Sequence, residues 1–128
     1  MINVKMDCGM IKKNMKWIAL RELNQIDKII EESTEHRILI FKHSTSCSTS
    51  RMVLDRMERS WMEEEMVNVK PYFLDLLSFR SLSNAVAQKF DVDHQSPQVL
   101  IIEKGESIYT ESHFGIDYKN LKSLSSGF

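Results

Sequence analysis

Residues 37–50 read RILIFKHSTSCSTS, and this stretch decides the fold. Arg37 to His43 is short, apolar and rich in β-branched and aromatic residues, the signature of a strand buried on both faces. The polar cluster Ser44-Thr45-Ser46-Cys47-Ser48-Thr49-Ser50 follows, and then a helical pattern runs to about Met66. In that helix Val53, Leu54, Met57 and Trp61 fall on one face, while Arg51, Asp55, Glu58, Arg59 and Glu63 fall on the other. The stretch therefore places Cys47 where a buried strand hands over to the first turn of a helix.

Working outward, Leu20, Leu23, Ile26 and Ile30 recur at spacings of three and four, which predicts a helix from Leu20 that Ser33-Thr34-Glu35 ends. Val69 to Leu74 reads as a second strand. Pro71 inside it has no N–H to donate to a ladder, so the strand is expected at or near a sheet edge. Ser81 to Phe90 predicts a third helix, with Leu82, Val86 and Phe90 on one face. Gln98 to Glu103 and Ser107 to Glu111 flank Lys104-Gly105 and predict a hairpin. Ile116 to Leu124 completes the pattern with a short helix. Strands joined by a helix of this length must be parallel, and the hairpin is antiparallel. The expected architecture is α/β: a three-layer sandwich with a mixed central sheet of four strands, or five if Trp17-Ile18 adds one, and helices on both faces.

The whole chain bounds the function. Its 128 residues suit one domain, here 15–128, after a leader of 1–14 expected to be disordered. Met1 and Met15 both stand as candidate translation starts. The formal net charge is −1 with no basic block, so no nucleic-acid partner is expected. No apolar run approaches the roughly 20 residues of a membrane-spanning helix, and no secretory segment opens the chain. A cytoplasmic protein that binds no membrane is expected.

The two cysteines, Cys8 and Cys47, form no CxxC pair. In a reducing compartment two distant cysteines are expected as free thiols. At Cys47 the unpaired N–H groups and the dipole of the helix favour negative charge, which stabilises the thiolate that attacks disulfides. Ser46, Ser48, Thr49 and Ser50 supply hydroxyls to solvate the sulfur or cap the helix. The local pattern is CxxS: Ser50 stands where a dithiol enzyme has its second cysteine, so exchange must finish with an external thiol. The competing reading makes Cys47 an unreactive small hydrophobe near the core. Ser96-Pro97, directly before a buried strand, invites a cis peptide. His43, His94 and His113 are expected near the same end of the sheet, where a cationic imidazole would favour the thiolate and a neutral one would bond a loop. Cysteine and histidine spacing supports no zinc site; no metal and no bound cofactor are expected.

The residues carry a resemblance. Residues 38–47 with Ser50, the later Phe79-Arg80-Ser81-Leu82-Ser83-Asn84, the loop His94-Gln95-Ser96-Pro97-Gln98-Val99 and the pair Ser112-His113 resemble ordered motifs of the monothiol bacilliredoxin family. The likeness runs from about Trp17 to Leu124. It implies a thioredoxin-like fold, with a cis-proline loop against the active-site cysteine. It also implies a thiol-disulfide oxidoreductase that removes bacillithiol, as co-substrate, from S-thiolated protein clients through Cys47. This sequence has SCSTS where the family pattern has TCPIS, so Ser48 replaces a proline that would pre-set the helix start. A non-catalytic adaptor of the same fold and a thiol-based redox sensor are the alternative functions.

Overall fold

The computed structural model describes residues 15–124. The leader and Cys8 lie outside the described residues. The elements in order are β1 (Ile18–Ala19), α1 (Asn24–Glu32), β2 (Arg37–His43), α2 (Ser48–Ser60), β3 (Val69–Asp75), α3 (Arg80–Lys89), β4 (Gln98–Glu103), β5 (Glu106–Ser112) and α4 (Tyr118–Ser123). A 3₁₀ turn, His113–Gly115, links β5 to α4.

The five strands form one mixed sheet in the order β1-β3-β2-β4-β5. β3 runs parallel to both β1 and β2, and β4 runs antiparallel to β2 and β5. Lys104 and Gly105, at φ 52° and 79°, make the β4–β5 turn in the left-handed region, the backbone that a tight hairpin connection demands. Pro71 pairs opposite Leu39 on β2, whereas β1 begins its ladder at Tyr72. The outermost strand thus joins one residue beyond the proline, which is how β3 becomes the second strand from the edge.

Alternation along β2 splits the core in two. Leu39 and Phe41 pack with Val53, Met57 and Trp61 of α2, with Leu121 of α4 and with Val99 and Ile101 of β4. Ile38 and Ile40 pack with Ile26 and Ile29 of α1, with Leu82 and Val86 of α3 and with Leu100 and Ile102 of β4. Both strand faces are dry, as an apolar run without alternation predicts.

Three readings need correction. The first helix starts at Asn24, because Leu20 closes β1's connection while Leu23 is 65 % exposed at the helix cap. α2 ends at Ser60, and Met66 is buried in the connection that follows. Glu58, assigned to the outer face, is buried and accepts a 2.8 Å bond from Trp17 Nε1. The segment before β1 covers that flank of α2, which the periodicity of α2 alone does not reveal.

Candidate active site

Cys47 is the N-cap of α2, in extended backbone at φ −104° and ψ 119°, and its side chain is half-buried. The turn leading to it closes with Cys47 N donating to Ser44 O at 3.2 Å, and the helix opens with Arg51 N donating to Cys47 O at 3.1 Å. Among the described residues, no side-chain hydrogen bond caps the helix at Cys47. The N–H groups of Ser48, Thr49 and Ser50 precede the first intrahelical bond, so they face whatever lies at the N-cap, and they favour an anion there.

Ser50 holds this start in place from below. It is fully buried. Its Oγ accepts from Ser44 N at 3.1 Å and lies 2.7 Å from Nδ1 of His43, the last residue of β2. Arg51 adds a bond from Nη1 to Thr45 O at 2.9 Å. Ser44 Oγ and Ser46 Oγ lie 3.3 Å apart within the loop. Strand end, loop and first helical turn are therefore tied together without a proline at position 48. Burial holds His43 below its ordinary imidazole value, opposed by the Asp75 carboxylate and helped by the Arg51 guanidinium. Burial thus favours the neutral ring, which pairs with Ser50. The Ser50 hydroxyl is committed to His43 and Ser44, so it acts as a brace between strand and helix.

His94 does not join this group. It lies on the opposite face of the sheet, where its Nδ1 is 3.3 Å from both Lys42 Nζ and Ser83 Oγ. Lys42 is fully buried in β2, donates to Ser83 O at 3.1 Å, and is lowered by burial to about 8. Burial also lowers His94, and the positive charges of Lys42 and Arg80 push the same way. Sequence reasoning passed over Lys42; a lysine inside an otherwise dry strand was the available signal.

Ser96-Pro97 is cis. Because Lys42 pairs with Gln98, one further step along the antiparallel ladder sets Pro97 against His43. The cis peptide thus stands beside the strand end that leads to Cys47. Pro97 O accepts from His113 N at 3.0 Å, which brings His113 to the same loop through its backbone. Ser96 Oγ is buried with no hydrogen-bond partner among the described residues.

A model of the family described as monothiol bacilliredoxin BrxC matches residues 18–121. Among solved structures, one described as a candidate oxidoreductase with a thioredoxin fold is 27 % identical, with a TM-score of 0.71 over 86 % of this chain and 93 % of that one. Thioredoxin from Malassezia sympodialis is 14 % identical, with a TM-score of 0.65 over 97 % of this chain and 95 % of its own. Thioredoxin from Trypanosoma brucei brucei is 15 % identical at the same TM-score, over 94 % and 93 %. These two share the fold. Among the described residues, no helix is long and apolar enough to cross a membrane.

Proposed function

The chain belongs to the monothiol bacilliredoxin BrxC family and is a thiol oxidoreductase of thioredoxin fold, and from that premise we propose that it strips bacillithiol, or a related small thiol, from S-thiolated cytosolic proteins. The Cys47 thiolate attacks the small-thiol sulfur of the mixed disulfide. A new bond forms between Cys47 Sγ and that sulfur, the old S–S bond breaks, and its electron pair leaves on the client cysteine, which takes up a proton. The small thiol then sits on Cys47 until an external thiol repeats the exchange and frees it.

One observation carries this reading. The side chain that could resolve the adduct from within the helix is a serine, and that serine is buried and engaged by His43 and Ser44. A half-buried cysteine with an uncapped helix start and no thiol one turn below suits a carrier that waits for its second substrate.

The test is intact mass measurement after incubation with oxidised bacillithiol, on a Cys8→Ser background. The expected result is one added bacillithiol per chain, abolished by Cys47→Ser. An adduct that survives Cys47→Ser contradicts the assignment.

A further inference from the structure

Lys42, Ser83 and His94 form a polar cluster inside the layer of the sandwich that faces away from α2. Lys42 is fully buried, and among the described residues no carboxylate forms an ion pair with it. A charge held this way is costly unless hydrogen bonds compensate it. Its bonds run to Ser83 O at 3.1 Å and to His94 Nδ1 at 3.3 Å. An ammonium only donates, so Nδ1 must accept, and His94 then carries its proton on Nε2. Ser83 Oγ lies 3.3 Å from the same ring nitrogen.

The cluster seats a loop. His94 opens the segment that ends at Pro97, and Gln98, buried at the start of β4, clasps the same segment. Gln98 Nε2 donates to Asp93 O at 2.8 Å, and its Oε1 accepts from Gln95 N at 3.4 Å. Lys42 is the register partner of Gln98, which sets Pro97 beside His43 at the strand end that leads to Cys47. Lys42 thus holds the loop by its side chain while its chain neighbour enters the cysteine loop. Burial disfavours a protonated His94, and so do the positive charges of Lys42 on β2 and Arg80 on α3. His94 is nevertheless exposed, so protons from solvent reach it. A proton on Nδ1 removes the acceptor and sets a second cation against the ammonium.

We infer that Lys42 is a positioning residue for exchange at Cys47: through His94 it holds the loop ending at Pro97 where a client disulfide meets the thiol, and protonation of His94 releases that loop. The inference rests on the reading that Cys47 exchanges with a protein client, and it adds regulation by acid. It also explains why a strand that is otherwise dry keeps a lysine, since locally unfavourable residues are retained at functional positions.

The experiment follows transfer from an S-bacillithiolated client to Cys47 by mass, on the Cys8→Ser background, from about pH 8 to about pH 5, the range in which histidines titrate. The readout is that rate divided by the rate of Cys47 alkylation by iodoacetamide, which cancels the ionisation of the sulfur. The parent ratio is expected to fall on acidification with a midpoint below 6.5. Lys42→Met and His94→Leu, which remove the donor and the acceptor, are each expected to cut the ratio at pH 7 by about tenfold, the effect of losing a hydrogen bond to a charged group. His94→Gln restores an acceptor that takes no proton, so it rescues the ratio and abolishes the acid step. A ratio unchanged in both Lys42→Met and His94→Leu, or an acid step that survives His94→Gln, overturns the inference and leaves exchange at Cys47 standing. If the parent takes nothing from the client, the exchange reading falls. The seat is then judged by NMR: the backbone amides of residues 93–98 are expected to shift as the His94 ring titrates, and amides that stay still overturn it.

Discussion

Lys42 and His43 are neighbours at the end of β2, yet alternation sends them to opposite layers of the sandwich. Both are polar, both are buried, and burial lowers the proton affinity of both. Their partners differ. Burial favours the neutral form of His43, whose ring pairs with Ser50, so the layer under Cys47 is closed by a hydrogen-bonded brace. Lys42 is met by a carbonyl and an imidazole, and among the described residues no carboxylate forms an ion pair with it. The contrast teaches that the thiol side is built for positional precision, while the other side stores a cation at a cost in stability. A buried cation without a counter-ion usually opposes folding.

The largest expected effect comes from breaking the brace. Ser50→Ala leaves the buried Ser44 N–H and the His43 ring nitrogen without their shared partner. The expected loss of unfolding free energy is about 2–3 kcal/mol, since each stranded buried group costs about 1–3 kcal/mol. Denaturant titration checks it. A loss below about 0.5 kcal/mol would mean that water replaces the hydroxyl freely, and the brace would lose its significance.

A smaller effect of opposite sign is expected on the other layer. Lys42→Met is expected to raise stability at pH 7 by about 1 kcal/mol, because it removes a buried charge and keeps the volume. The pH dependence sharpens the point. Lys42 protonates near 8 in the folded chain, against 10.5 as its ordinary value. Between those values the unfolded chain binds the extra proton, so the stability of the wild type rises with pH across this window. The penalty is fully present below about 8. Subtracting the Lys42→Met curve isolates this rise, and a flat difference curve would contradict the assignment.

Much of this was legible in the sequence. The apolar run of β2, the helix after Cys47 and the Lys104-Gly105 turn each carry a local signature, so their order followed without neighbours in space. Cys47 and Ser50 were legible for the same reason, because one turn of helix separates them. Leu23, Glu58, Lys42 and Asp75 were not. Each owes its environment to a segment distant in the chain or to an element boundary: Glu58 to Trp17, Lys42 to Ser83 and His94, Asp75 to its place beside His43. Two-residue β1 is too short to show any period, so Trp17-Ile18 could be offered only as an optional fifth strand, and the strand forms one residue further on, at Ile18–Ala19.

Single-thiol exchange at Cys47, with the position below it closed to resolution, is tested by mixing the reduced Cys8→Ser protein with an S-bacillithiolated client and no external thiol, then following the bacillithiol on both by mass. The expected result is transfer of at most one bacillithiol per chain, all of it on Cys47, after which the reaction stops. Continued turnover without added thiol, or release from the client with none on Cys47, would contradict it.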